Sequence, residues 1–126
     1  MSYILLVEDE PNLRLFVQMN LCRRGFDTAA VNTAEEALQM ILHEPPSLLL
    51  LDMKLPSMSG LELLETLKRE CPSVFPIMIF SVWARGNEAE IQQQHPAIFG
   101  LLDKPIAAPD LIAQVRSALE LVPVPV

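Results

Sequence analysis

The stretch Ser47-Leu48-Leu49-Leu50-Leu51-Asp52 joins four consecutive leucines to an acidic residue near the middle of a 126-residue chain. A run this short and this apolar is typical of a parallel strand that is covered on both faces. It is the most apolar strand candidate in the sequence, so we expect it at the centre of a sheet. Asp52 then lies at the carboxyl end of that strand, where open α/β sheets bind their ligands.

Shorter apolar segments on both sides repeat this pattern, and helical patterns separate them. The predicted strands are 3–7, 27–31, 47–51, 75–80 and 98–102. The predicted helices are 11–24, one that opens at the capping-box pair Thr33 and Glu36, 60–70, 84–94, and one that starts at Pro109. Strands that alternate with single helices run parallel, and right-handed crossovers place helices on both faces. The chain is therefore predicted to be a doubly wound (βα)5 three-layer α/β sandwich.

Helical spacing also predicts which apolar side chains face the sheet. They are Leu13, Phe16, Val17, Leu21, Ala37, Leu38, Ile41, Leu42, Leu61, Leu64, Leu67, Leu111, Ile112, Val115 and Leu119. Gly25 is predicted to end the first of these helices, and proline follows the second and third.

The composition limits the classes of function. The net charge of -7 and the pI near 4.7 disfavour direct binding to nucleic acid, because that affinity rests on clustered Lys and Arg. No apolar run approaches the roughly 18 residues of a membrane helix, and the N-terminus lacks a basic signal-peptide pattern. We therefore expect a cytoplasmic protein without a membrane partner. Cys22 and Cys71 lack metal-ligand spacing and are expected to be reduced thiols.

Polar residues follow four of the predicted strands. They are Glu8, Asp9, Asp52, Ser81 and Lys104. Because the carboxyl ends of parallel strands share one edge, we expect these side chains to meet there. A carboxylate on a rigid strand end can attack an activated phosphorus, which suits Asp52 for a nucleophile. Phosphoryl transfer also needs its negative charge neutralised, and Ser81 and Lys104 offer a hydroxyl donor and a cation.

The three carboxylates would repel one another unless a cation lay among them. Within about 5 Å, each pair costs roughly 3 kcal/mol at an effective dielectric constant near 20. Oxygen-only ligands beside phosphate chemistry predict Mg²⁺. Simpler interpretations stay open for single residues: Asp52 can cap the turn that follows it, and Glu8 and Asp9 can favour the positive end of the first helix. The helix interpretation applies to Glu10 in any case.

Taken together, these residues resemble the receiver domain of two-component response regulators, which is related in fold to the bacterial chemotaxis regulator. The resemblance runs from Tyr3 to about Leu121 and rests on Glu8-Asp9, Leu51-Asp52-Met53-Lys54-Leu55-Pro56 with Gly60, Ser81, and Lys104-Pro105. It implies a flavodoxin-like five-stranded sheet with strand order 2-1-3-4-5. We place the receiver domain at residues 1–121. Residues 122–126, with alternating prolines, are then a C-terminal tail or the start of a linker.

The resemblance implies a role for each acidic residue. Asp52 is the phospho-acceptor, and its phosphoryl donor is a sensor histidine kinase or a phosphotransfer protein. The metal is Mg²⁺, held by Asp52 and directly by Asp9, with Glu8 as a ligand that often acts through water. The backbone carbonyl of Lys54 adds a further metal contact.

The resemblance also implies a phosphate-binding pair and an output. Ser81 and Lys104 hold the phosphoryl oxygens, and phosphorylation changes the affinity for a downstream protein or a fused output domain. The chain is then a regulatory phospho-acceptor and not an enzyme beyond its own phosphorylation and dephosphorylation. The sequence contains no output domain, so we expect a stand-alone regulator or a receiver from a longer protein.

The sequence departs from the family pattern in ways that keep alternatives open. Leu101 stands where an aromatic switch residue usually precedes the lysine, and Val82 replaces a small residue after the hydroxyl position. A degenerate receiver that acts as a phosphorylation-independent interaction module therefore remains an alternative. A small phosphatase would share Asp52 and Mg²⁺, but such enzymes usually place a general-acid Asp two residues after the nucleophile. Lys54 occupies that position here, which disfavours turnover.

Overall fold

A computed structural model of the chain describes residues 3–52, 60–71, 75–80, 98–102 and 107–120. These residues form five strands and four helices. The strands are β1 Ile4–Val7, β2 Thr28–Val31, β3 Leu48–Asp52, β4 Ile77–Phe80 and β5 Ile98–Leu102. The helices are α1 Pro11–Arg23, α2 Ala34–His43, α3 Gly60–Glu70 and α4 Ala108–Glu120. The helix predicted at 84–94 lies outside the described residues.

The strands form one parallel sheet in the order β2-β1-β3-β4-β5. This order confirms the predicted flavodoxin-like fold, with the leucine strand β3 at the centre. The register pairs Val7 of β1 with Leu51 of β3, and Asp52 with Phe80 of β4. The carboxyl ends of the three inner strands therefore lie at the same level.

The four leucines of β3 divide between two apolar cores, one on each face of the sheet. Leu49 and Leu51 pack in the core that α2 and α3 cover, whereas Leu48 and Leu50 pack in the core that α1 and α4 cover. All four are fully buried. Because each fully buried leucine contributes about 1.5–3 kcal/mol relative to exposure, β3 is fixed from both sides.

The observed helix ends agree with the chemistry of the sequence. Glu10 caps α1, and its carboxylate accepts hydrogen bonds from the N–H groups of Asn12 at 3.1 Å and Leu13 at 2.6 Å. Thr33 caps α2 by accepting from the Glu36 N–H at 3.2 Å, which confirms the predicted start of that helix. Gly25 follows α1 with φ of 86°, a left-handed conformation that glycine adopts without steric cost.

The prediction was wrong for two apolar side chains. Phe16 is 38% exposed and Leu42 is 50% exposed, although both were expected to face the sheet. Each lies one residue, or about 100° of helix rotation, from a buried neighbour, Val17 and Ile41 respectively. The apolar stripe of α1 and of α2 is therefore narrower than the sequence pattern suggested. Leu63, which was not predicted, is fully buried in α3.

Several strand limits also differ from the prediction by one or two residues. Strand β3 includes Asp52, which was expected just beyond it, while β4 begins at Ile77 instead of Phe75. Cys22 is exposed and Cys71 is partly buried, and the two do not form a disulfide bond with each other. Among the helices that the structure describes, none has the length and apolar character needed to cross a bilayer.

Candidate functional site

The carboxyl ends of β1 and β3 bring three acidic side chains together. Val7 pairs with Leu51 in the parallel register, so the next residues lie at one level: Glu8 directly follows β1 and Asp52 ends β3. Asp9 follows on the same loop. Glu8, Asp9 and Asp52 each offer a carboxylate oxygen, and these oxygens all lie within 4.8 Å of one another. The predicted convergence of the three carboxylates is therefore present in the structure.

The three acids differ in exposure. Glu8 is 0% exposed and Asp52 is 2% exposed, whereas Asp9 is exposed to solvent. Asp52 is the last residue of β3 and is paired with the neighbouring strand β4, so its backbone belongs to the rigid centre of the sheet. The cluster therefore consists of two buried carboxylates and one that borders on solvent.

The end of β1 explains how two adjacent residues can serve one cluster. Successive residues within a strand point to opposite faces, but β1 ends at Val7 and the chain then turns. The Glu8 N–H still donates to Val31 of β2 at 3.1 Å, and its carboxylate accepts from the Glu10 N–H at 3.1 Å. These bonds hold Glu8 at the sheet edge while the chain direction changes.

The donor set fits a hard divalent cation. At 4.8 Å, a pair of unit negative charges repels by about 3 kcal/mol at an effective dielectric constant near 20. A divalent cation among the carboxylates would reverse that interaction. The three ligand groups supply only oxygen atoms, which are the donors that Mg²⁺ and Ca²⁺ accept in proteins. Glu8, Asp9 and Asp52 could therefore hold such an ion.

The remaining predicted site residues, Lys54, Ser81 and Lys104, lie outside the described residues, as does Val82. The strands that precede two of them are described. Phe80, the last residue of β4, pairs with Asp52 on one side and with Leu102, the last residue of β5, on the other. Strands β3, β4 and β5 therefore end at one edge of the sheet.

Sequence reasoning missed one residue near the cluster. Arg14 in α1 donates from Nη1 to the backbone carbonyl oxygens of Glu8 at 3.0 Å and Asp9 at 3.4 Å. The sequence does mark this residue as unusual, because acidic residues are favoured in the first turn of a helix and arginine is not.

The family model of the response regulator receiver domain matches residues 4–116 of the chain. The chain belongs to the response regulator receiver domain family. Receiver domains are regulatory domains and not catalytic enzymes. Within the family, the chain is 32% identical over 117 residues to the response regulator protein PilR of Pseudomonas aeruginosa. The aligned segment covers 93% of this chain and 26% of PilR. It is 33% identical over 117 residues to the phosphate regulon transcriptional regulatory protein PhoB of Rhizobium meliloti, covering 92% of this chain and 51% of PhoB.

Solved structures give the same result for the fold. The receiver domain of NtrX from Brucella abortus superposes with a TM-score of 0.82 at 30% identity, covering 94% of this chain and 99% of that domain. A CheY-like receiver domain protein from Methanospirillum hungatei superposes with a TM-score of 0.84 at 26% identity, covering 95% and 94%. This receiver domain spans about a quarter of the length of PilR and about half that of PhoB.

Proposed function

We propose that this receiver domain accepts a phosphoryl group on Asp52 from a sensor histidine kinase or a phosphotransfer protein. In this proposal Mg²⁺ binds at the acidic cluster, and phosphorylation changes the affinity for a partner. The observation that carries the proposal is the convergence of Glu8, Asp9 and Asp52, whose carboxylate oxygens lie within 4.8 Å at the carboxyl edge of the sheet.

Asp52 is the best placed of the three acids to act as the nucleophile. Its strand is the central one, paired on both sides and buried on both faces. Positioning accounts for much of the rate of phosphoryl transfer, so a nucleophile gains from a backbone that does not move. Asp9 lies on an exposed loop, and the carboxylate of Glu8 already accepts a hydrogen bond from Glu10.

The transfer itself exchanges one bond for another. A carboxylate oxygen of Asp52 forms a bond to phosphorus while the bond between phosphorus and the imidazole nitrogen of the donor histidine breaks. The imidazole leaves with the electron pair of that bond and takes up a proton from solvent. Mg²⁺, when bound, offsets the negative charge that gathers on the phosphoryl oxygens. Glu8 and Asp9 would share its coordination with Asp52.

Three further residues complete the proposed site. The backbone carbonyl of Lys54 would be a metal ligand, and Ser81 and Lys104 would bind the phosphoryl oxygens. Support comes from the strands before them, since β4 and β5 end at the same edge as Asp52. Bonds that form only with the phosphorylated site give the difference in free energy that a change of state requires.

The output of the domain is also part of the proposal. PhoB is named as a transcriptional regulatory protein, and the chain matches about half of it. We therefore propose a downstream protein or a fused output domain as the partner, without direct nucleic acid binding by this domain and without membrane binding. The proposed location is the cytoplasm. The proposed boundaries are residues 1–121 for the domain and 122–126 for a tail or linker start.

The experiment that tests this function is intact mass measurement after incubation with acetyl phosphate, with and without Mg²⁺. The expected result is one added phosphoryl group on the wild type, which requires Mg²⁺ and is absent from Asp52→Asn. Asp27→Asn is the matched control, because Asp27 is an exposed acid that precedes β2 at the opposite edge of the sheet. That variant should be phosphorylated like the wild type.

The same experiment separates the alternative functions. No adduct on the wild type, together with no binding of Mg²⁺ by calorimetry, would contradict the proposal and favour a phosphorylation-independent interaction module. An adduct that persists in Asp52→Asn would place the acceptor elsewhere. A receiver that dephosphorylates itself also releases inorganic phosphate from acetyl phosphate, so only hydrolysis of a phosphate monoester over many cycles would indicate a phosphatase.

A further inference from the structure

Arg14 occupies an unfavourable place in α1. It lies in the first turn, where its backbone N–H donates to the Glu10 carbonyl at 2.9 Å. The first turn of a helix carries a partial positive charge, so a guanidinium is repelled there and a carboxylate is favoured. That repulsion is weak, so contacts made by the guanidinium can offset it.

The guanidinium of Arg14 contacts the backbone of the acidic cluster. The Nη1 group of Arg14, which is partly buried, donates to the Glu8 carbonyl at 3.0 Å and to the Asp9 carbonyl at 3.4 Å. The first distance is typical of a hydrogen bond and the second is longer. Both acceptors are backbone carbonyl groups, so the guanidinium contacts the main chain of the turn that carries the two acids.

We propose that Arg14 is a positioning residue that fixes the backbone of Glu8 and Asp9, so that their carboxylates face Asp52 as a preformed cation site. This inference rests on the proposed function. Asp9 depends most on it, because its side chain is exposed and its carboxylate must be directed by the backbone. Residues that orient metal ligands without binding the metal typically change metal affinity by about 10–100-fold when they are removed.

Positioning and simple charge predict opposite results for removal of Arg14. If the guanidinium only added positive charge near the cluster, its loss would make the site more negative and Mg²⁺ would bind more tightly. If it holds the turn, its loss would free the ligands and Mg²⁺ would bind more weakly. The direction of the change therefore distinguishes the two roles.

The test is a calorimetric titration with Mg²⁺ of the wild type, Arg14→Gln, Arg14→Lys and the control Arg24→Gln, at one fixed ionic strength. Arg24 is exposed and caps the far end of α1, so its substitution makes the same change in net charge away from the cluster. We expect Arg14→Gln to bind Mg²⁺ about tenfold more weakly. Arg14→Lys keeps a cationic donor and should stay within about threefold of the wild type, and Arg24→Gln should match the wild type.

Each outcome bears on a definite claim. Equal or tighter binding by Arg14→Gln, with a wild type that binds Mg²⁺ and is phosphorylated, would overturn the role of Arg14 and leave the proposed function intact. A wild type that binds no Mg²⁺ would overturn both. If Arg14→Gln does not fold, Arg14→Met and Arg14→Lys give the same comparison, and Arg14→Met binding as tightly as Arg14→Lys would contradict the inference.

Discussion

The two ends of β3 lie in contrasting surroundings. At the amino end, Ser47 donates to the Tyr3 carbonyl twice, from its N–H at 2.8 Å and its hydroxyl at 3.0 Å, and the Tyr3 hydroxyl donates to the Glu44 carbonyl at 2.6 Å. At the carboxyl end, Asp52 lies with two other carboxylates within 4.8 Å. Polar groups at the first end are joined by hydrogen bonds, whereas the second end brings together three groups of the same charge. Proteins depart from favourable local chemistry mainly at functional sites, so this comparison favours the carboxyl edge as the functional site.

The largest expected effect is on metal binding, and it should occur at one edge only. Asp9→Asn should weaken Mg²⁺ binding by at least about tenfold, because it removes the charge of a proposed ligand. Asp27→Asn at the amino edge should leave the affinity unchanged. Calorimetric titration measures both, and equal affinities for the two variants would remove the distinction between the edges.

The second prediction concerns stability without metal. Asp52→Asn should raise the free energy of unfolding by about 1–2 kcal/mol in EDTA, because it relieves repulsion from Glu8 and Asp9. Excess Mg²⁺ should abolish or reverse this gain, since the wild type binds the ion better. Urea denaturation with each additive measures the difference. A variant that is less stable than the wild type in EDTA would show that repulsion does not dominate at Asp52.

At the amino end of the same strand, a substitution should change the free energy of unfolding in the opposite direction. Ser47→Ala should lower the free energy of unfolding by about 0.5–1 kcal/mol, because it removes one of the two hydrogen bonds that the Tyr3 carbonyl accepts from Ser47. The loss should be the same in EDTA and in Mg²⁺. A dependence on Mg²⁺ would mean that the two ends of β3 are coupled.

The smallest expected effect is a pH dependence at alkaline pH. Burial, and secondly the negative charge of Glu44, raise the pKa of Tyr3 above its ordinary value of 10.0. Just above pH 10, the folded state keeps the phenolic proton of Tyr3 while the unfolded state loses it. The contribution of the neutral Tyr3 side chain to the free energy of unfolding is therefore complete below pH 10, and it is lost as the pH rises through the raised pKa.

Two measurements check this prediction. Tyr3 is the one tyrosine in the chain, so phenolate absorbance during an alkaline titration reports on it alone. Its midpoint should lie higher in the folded protein than in urea. Stability of Tyr3→Phe should fall less steeply than that of the wild type above about pH 10. Identical titration midpoints in the folded and unfolded states would show that burial and Glu44 do not raise the pKa of Tyr3.

The fold could be predicted from the sequence because its signals are local. The leucine run of β3, the capping residue Thr33 and the glycine after α1 each specify an element or its end without reference to the rest of the chain. The meeting of Glu8, Asp9 and Asp52 followed from topology, since parallel strands must end at a common edge. The proposed roles of these residues stay predictions that phosphorylation and metal titration will test.

Other features could not be predicted, because they depend on distances between elements. The exposure of Phe16 and Leu42 is set by how widely the sheet covers each helix, which helical periodicity does not specify. Arg14 reaches the acidic turn through a long side chain whose direction depends on the path of the chain after β1. The sequence showed only that its position in the helix was unfavourable.

The composition of β3 has a consequence for how the chain selects one alignment of its strands. A slip by one residue normally moves apolar side chains to the wrong face, yet four consecutive leucines would present leucine to both cores after such a slip. The flanking residues remove this ambiguity. A slip in one direction would draw the Asp52 carboxylate into the apolar interior, and a slip in the other would bury the Ser47 hydroxyl away from Tyr3. The acid at the proposed phosphorylation site thus also helps to specify the alignment of the central strand during folding.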